Sequence, residues 1–187
     1  YGENLELVPD ILADVTSEDE RIYTLKLRQG HKWSVGHPFT AEDFRYYWED
    51  VANNEELSPA GPPRTLRVNN ELPLVEILDE TTVRYSWSQP NPTFLPALAG
   101  AAPLFIYRPA HYLKQFHDSY KKKKKKKSAL SSRMMRNWAA EHNSKDNQYK
   151  FDNPELPTLQ PWMNTTKPPA TRFVGLRNPY FHRVDPN

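Results

Sequence analysis

Lys32-Trp33-Ser34-Val35-Gly36-His37-Pro38-Phe39-Thr40-Ala41-Glu42-Asp43-Phe44 is the stretch on which the fold turns, because it ties a turn to a helix start. Trp33 is a large apolar anchor, and Gly36 and Pro38 set the backbone of the turn around it. Thr40 is a good helix N-cap. Asp43, three residues on, completes a capping box in its carboxylate form, and Glu42 and Asp43 both favour the positive end of the helix dipole. The helix that follows carries Phe44, Tyr47, Trp48 and Val51 at i, i+3, i+4 and i+7, which predicts an aromatic stripe facing a core. A stripe of this period marks packing and not a ligand platform.

Working outward, residues 22–28 alternate Tyr23, Leu25 and Leu27 with Thr24, Lys26 and Arg28, the period of a half-buried strand. Glu18, Asp19 and Glu20 precede it in a turn-like context. Downstream, residues 53–64 are rich in Pro, Gly and acidic side chains and read as an exposed loop. The runs 74–78 and 82–87 flank Asp79, Glu80 and Thr81 and predict an antiparallel hairpin. Asn91 and Pro92 read as the N-cap and first turn of a short helix ending at Gly100. A second short helix is expected from Pro109, with Tyr112, Leu113 and Phe116 on its inner side. Residues 130–142 are helical in pattern, with Leu130, Met134 and Trp138 at spacing four. Residues 153–170 hold five prolines and no clear period, so they are expected to form an ordered but irregular arm, and residues 172–176 read as a last strand. There is no internal repeat. Strands, a hairpin and separate short helices without strand–helix alternation indicate an α+β fold.

Composition sets the outer limits. The 187 residues are 37% hydrophobic and 12% aromatic, enough for an aromatic-rich core and too much for a wholly disordered chain. Eighteen prolines against six glycines point to rigid extended connections. Cysteine is absent, which excludes disulfides, thiolate nucleophiles and cysteine metal sites. No run of about 18 apolar residues occurs, so no helix of this sequence spans a membrane. Residues 1–6 lack a basic region followed by an apolar run, so an exported protein is expected to be mature or truncated here. Seven of the 25 basic residues form the run 121–127, and outside it acidic residues outnumber basic ones, 23 to 18. A lysine homopolymer is ordinarily a solvated, self-repelling segment. Nucleic-acid binding calls for basic residues interleaved with aromatics, and Tyr120 alone flanks the run.

Catalytic constellations are missing from the pattern. Glycines 2, 30, 36, 61, 100 and 175 stand apart, so there is no phosphate loop. The six histidines make no i, i+4 pair around a glutamate, which leaves no helical zinc site. No serine sits in a nucleophile elbow. The solvated carboxylates at 18–20 have neither burial nor enforced proximity to separate their pKa values. The sequence thus predicts no catalytic residues, no metal and no cofactor.

Four stretches now combine: Leu7-Val8-Pro9-Asp10-Ile11-Leu12-Ala13, Tyr23-Thr24-Leu25-Lys26-Leu27-Arg28-Gln29-Gly30, Lys32-Trp33-Ser34, and Pro38-Phe39-Thr40-Ala41-Glu42-Asp43. In this order they resemble the extracellular solute-binding proteins of the oligopeptide and dipeptide type. Trp33, Ser34, Gly36, Pro38, Phe39, Thr40, Ala41 and Asp43 match the family's turn-and-helix motif, while Val35 departs from its usual Asp or Asn. Residues 75–90 are similar to the family's hairpin, and Leu176-Arg177-Asn178-Pro179-Tyr180-Phe181 resembles its Arg-Asn-Pro-x-Tyr motif.

The resemblance implies part of the first lobe of a two-lobed, type II periplasmic-binding-protein-like fold that closes on a solute and delivers it to the membrane permease of an ABC importer. It implies that residues 1–170 form a peripheral subdomain with an insertion at about 118–155. Residues 171–187 return to the main lobe, and the rest of the receptor is absent. It further implies a monomer without cofactor, located in the periplasm or anchored outside the cell as a lipoprotein. The solute is expected to be an oligopeptide, a dipeptide or a sugar; an oligosaccharide, opine or nickel complex is the alternative, and a basic nucleic-acid module the alternative of another class. Trp162, Asn164 and Thr165 are the expected ligand-binding residues, because an aromatic face beside two hydrogen-bonding side chains suits a small-solute pocket.

Overall fold

The computed structural model describes residues 2, 4, 6–100, 103–121, 138–150 and 152–183. They divide into two units: Tyr1–His31 with Thr40–Tyr107, and Lys32–Phe39 with Arg108–Asn187.

The first unit is built on an antiparallel sheet in the order β1-β2-β4-β3, formed by β1 (Leu12–Glu18), β2 (Ile22–Leu27), β3 (Leu74–Asp79) and β4 (Thr82–Ser86). The alternation read in the sequence puts Tyr23, Leu25 and Leu27 on one buried face. Across β4 they meet Tyr85 and Val83, with Tyr23 opposite Tyr85 and Leu25 opposite Val83. Phe94 lies 5.1 Å from each of the rings of Tyr23, Tyr85 and Trp87, so the core is aromatic as the composition predicts. Its polar handles are satisfied by backbone: the Tyr23 hydroxyl donates to the Asn91 carbonyl (3.0 Å) and the Trp87 indole to that of Leu66 (2.9 Å).

Tyr85 is the exception. Its buried hydroxyl finds no hydrogen-bond partner among the described residues, and burial pushes its pKa upward. An unsatisfied buried hydroxyl costs about 1–3 kcal/mol. Tyr85→Phe is therefore expected to raise stability by about 1 kcal/mol, seen as a higher urea midpoint. An unchanged or lower midpoint would contradict this account.

Strand β1 is absent from the sequence expectation. It lies at the sheet edge, exposed along most of its length, so no face of it needs an apolar period. The turn joining it to β2 falls at Asp19 and Glu20, both with positive φ (51° and 54°), the backbone of a two-residue hairpin turn.

Helix α1 (Ala41–Arg45) begins where the sequence predicts, with the Asp43 carboxylate accepting the Thr40 N–H at 3.1 Å. The hairpin turn fixes this start from outside: the Ala41 N–H donates to the Glu80 carbonyl (2.8 Å), and the Leu27 N–H to that of Thr81 (2.7 Å). The chain then widens into a π-helix, Tyr46–Ala52. The wider turn rotates the expected stripe: Phe44, Tyr47 and Val51 are buried, but Tyr46 joins them at 0% exposure and Trp48 is only half-buried. Helix α2 (Phe94–Ala99) starts at Thr93 and not at Asn91–Pro92. Asn91 is drawn elsewhere, its amide donating to the Thr65 carbonyl (3.3 Å) and its side-chain oxygen accepting from Thr93 (2.9 Å).

In the second unit the turn at residues 32–38 is closed by the Trp33 N–H on the His37 carbonyl (2.8 Å) and the Gly36 N–H on that of Trp33 (2.8 Å). Trp33 is buried edge-on against Phe39, with ring centres 5.4 Å apart. Helix α3 (Ala110–Leu113) begins after Pro109 as expected and buries Leu113. It also brings His111 into a stack on His37, with centroids 3.9 Å and planes 7° apart. Helix α4 (Trp138–Lys145) runs past the expected end at His142, and its Trp138 packs against His117 at 4.8 Å. The predicted positions Leu130 and Met134, and residues 122–127 of the lysine run, lie outside the described residues.

The expected irregular arm is partly regular. Strand β5 (Trp162–Asn164) pairs antiparallel with β6 (Gly175–Arg177), the latter overlapping the predicted last strand. Two backbone bonds beyond the paired strands, Thr165 N–H to the Val174 carbonyl (3.0 Å) and Asn178 N–H to that of Pro161 (2.8 Å), explain how so short a ribbon holds among five prolines.

Candidate functional site

Two motifs that stand 140 residues apart in sequence meet in the second unit. The Ser34 N–H donates to the Thr158 carbonyl (3.0 Å) and its hydroxyl accepts the Thr158 N–H (3.0 Å). Asn178, buried, donates its side-chain amide to the Gln160 carbonyl (3.0 Å) and accepts the Tyr180 N–H (2.9 Å). Tyr180 then reaches the turn, with the Lys32 ammonium 5.5 Å from its ring. Gly36 has a positive φ of 83°, and a Cβ there would lie 3.0 Å from the Tyr180 hydroxyl, so this position needs glycine twice over. The Trp33–Pro38 turn and the Asn178–Tyr180 segment thus form one clasp whose groups are spent on holding shape.

The ribbon beside this clasp carries the predicted ligand residues. Trp162 and Asn164 are alternate residues of β5 and share a face, whereas Thr165 follows on the other side. Trp162 is 59% exposed. Asn164 is half-buried and turned to the connection, its amide donating to the Thr166 carbonyl (2.7 Å) and its oxygen accepting the Thr166 N–H (2.9 Å). Thr165 is exposed, and its hydroxyl donates to the Val174 carbonyl (2.8 Å). Of the three, Trp162 presents the broad open surface while Asn164 and Thr165 set the turn next to it. Sequence reasoning missed Arg177, which register places directly opposite Trp162. The signal is a cross-strand pairing, and that pairing is invisible until both short strands are known.

Among the described residues, no group of three His, Cys, Asp or Glu side chains is placed to hold a metal ion, and no helix is long and apolar enough to cross a membrane. Half-buried His111 stacks on the exposed His37: burial, then His37 itself, depress the His111 pKa to about 4.

Residues 6–187 match the model of the bacterial extracellular solute-binding proteins, family 5 (Middle). The chain belongs to this family. Among family 5 relatives, the periplasmic alpha-galactoside-binding protein of Rhizobium meliloti is 29% identical over 98% of this chain and 24% of its own length. The periplasmic murein peptide-binding protein MppA of Escherichia coli is 30% identical over 54% of this chain and 21% of its own. Among solved structures, an oligopeptide-binding protein OppA is 35% identical with a TM-score of 0.75, over 94% of this chain and 27% of that one. The periplasmic binding protein MelB of Agrobacterium fabrum, in complex with stachyose, is 25% identical with a TM-score of 0.66, over 93% and 24%. This chain therefore spans about a quarter of the length of the family 5 proteins it matches, and it carries the corresponding part of the periplasmic-binding-protein fold. These relatives are binding proteins.

Proposed function

We propose that the chain is part of a receptor that captures peptides or similar small solutes outside the cytoplasm and delivers them to the permease of an ABC importer. The observation that carries this reading is the family match across residues 6–187, joined to a clasp whose side chains are engaged in holding backbone. On this reading the protein is periplasmic, monomeric, free of cofactor and without catalytic activity. Residues 1–170 belong to a peripheral subdomain and residues 171–187 return to the main lobe.

Trp162, with Asn164 and Thr165 shaping the adjoining turn, contributes to the ligand cleft. An exposed indole on a short hydrogen-bonded ribbon supplies apolar area at low entropic cost. Trp162→Ala in the full-length receptor is expected to weaken solute binding about tenfold in a calorimetric titration, since a stacking aromatic contributes on the order of 1–2 kcal/mol. Unchanged affinity would remove Trp162 from the site.

A second reading, an oligosaccharide receptor, is favoured by the alpha-galactoside-binding relative that aligns over 98% of the chain. Titrating the receptor with a peptide pool and with raffinose separates the two. A salt titration with DNA tests the nucleic-acid alternative, for which affinity would fall steeply with ionic strength. The receptor reading expects no binding at any salt.

A further inference from the structure

We infer that the His37–His111 stack is an acid-sensitive latch on the Trp33–Pro38 turn: when the pair gains protons the rings part and the turn loosens, while the sheet of the first unit stays folded. The latch goes beyond the receptor reading and does not depend on which solute is bound.

His37 belongs to two structures at once. Its carbonyl accepts the Trp33 N–H (2.8 Å) and so closes the turn, and its ring lies flat on that of His111 in α3, with centroids 3.9 Å and planes 7° apart. Trp33, the buried anchor of the turn, has its ring centre 6.1 Å from that of His111. The His37 Nδ1 donates to the Pro38 carbonyl (3.0 Å), which leaves Nε2 to take up a proton. Both ring nitrogens of His111 are buried and find no hydrogen-bond partner among the described residues. This chain itself already covers them, so a proton there meets no acceptor unless the ring swings out. One proton on the pair leaves a cation beside a neutral ring; two leave cations face to face at 3.9 Å, which repel.

The surrounding groups do not relieve this. On the turn side stand Lys32, its ammonium 5.5 Å from the Tyr180 ring, and the Tyr180 hydroxyl beside Gly36. Residues 156–162, which meet the turn at Ser34, hold no charged side chain. On the α3 side Arg108 is bound to Asp146 (2.7 Å), and the Lys114 ammonium lies 5.0 Å from the Tyr120 ring. Burial, then His37, hold the His111 pKa down at about 4, and no carboxylate opposes them. An opened turn lets His111 take up its proton near pH 6.5, and the closed turn does not. Closure is therefore at full strength above that pH and weakens as pH falls toward 4.

The test is amide hydrogen exchange by mass spectrometry on the full-length receptor without added solute, from pH 7 to pH 4, with rates corrected for the intrinsic pH dependence of exchange. In the wild type, protection of peptides spanning residues 32–39 is expected to fall about tenfold or more over this range, solvent screening keeping the change below the full span of the proton shift. Peptides covering β2 and β4 should stay better protected than the turn at every pH. His111→Phe, which keeps the stack and cannot take a proton, should hold the turn's protection constant. His37→Phe, which leaves His111 in place and removes the second cation, should show a smaller fall than the wild type. Constant protection of the turn in the wild type overturns the latch. So does equal protection of turn and sheet at pH 4, which is unfolding of the whole protein, or a fall of wild-type size in His111→Phe. Should His111→Phe fail to fold, His37→Phe decides, and a fall equal to that of the wild type overturns the latch.

Discussion

Acidification from pH 6.5 to about 4 is expected to remove several kcal/mol of stability through two histidines, His111 and His142. Both are held neutral in the fold, each with a pKa depressed to about 4. For His111 the larger cause is burial, and the stacked His37 adds repulsion. For His142 burial again leads, followed by His117, with smaller repulsion from Arg108 and Lys121 and a partly offsetting hydrogen bond to Asn143. The unfolded chain takes up these protons near pH 6.5 and the folded chain does not, so the histidine contribution is complete above that pH. It declines as pH falls toward 4, by up to about 1.4 kcal/mol per pH unit for the fully buried His142 and by less for the half-buried His111, whose interactions solvent screens. Asp146 runs the other way, because burial raises its pKa and the fold holds its proton to higher pH than the unfolded chain. Urea unfolding at half-unit steps of pH measures the sum. Substituting His111→Phe, which keeps a ring against His37, is expected to remove the smaller share of the histidine slope. An unaltered slope in that variant would show that the stacked pair does not titrate as described.

Arg108→Met is expected to destabilise the protein by about 3–5 kcal/mol at pH 7. The Arg108 Nε donates to the Asp146 Oδ2 at 2.7 Å, and the aspartate side chain is 5% exposed. Its other oxygen has no hydrogen-bond partner among the described residues, so the guanidinium carries most of the compensation for a buried charge. Without it the carboxylate must stay ionised in an apolar setting or take up a proton. The deficit relative to wild type should therefore shrink as pH falls through the raised pKa of Asp146. Arg108→Met combined with Asp146→Leu should recover most of the loss, since replacing both partners removes the stranded charge. A double variant as unstable as the single one would place the cost in packing instead.

How far the sequence was legible follows from where each element lies. Strand β2, the hairpin and the Thr40 start were readable because each combines an apolar period with local punctuation: alternating Tyr23, Leu25 and Leu27, the Asp79–Thr81 turn, the Asp43 cap. Strand β1 was not, since an exposed edge strand has no buried face to betray it. The π-helix escaped because Tyr46 and Tyr47 are both aromatic, and composition does not say which of two neighbours a wider turn will bury. Asn91 looked like a cap but satisfies Thr65 across the fold, a long-range demand with no local mark. At the candidate site Trp162 was evident as an aromatic among polar neighbours. Arg177 was quoted only as part of a motif, because its place opposite Trp162 arises from a register between three-residue strands.

The clasp between Ser34 and Thr158 imposes a schedule on how the protein comes into being. These partners are separated by 124 residues, so the early turn cannot meet its mate until a long stretch of chain has been delivered and brought back to it. During that interval Trp33 is an unsheltered indole in a nascent polypeptide, and the second unit cannot begin to close around it, whereas the β1–β2 hairpin can form as soon as it emerges. The segment most recognisable in the sequence is thereby among the last to acquire its shape.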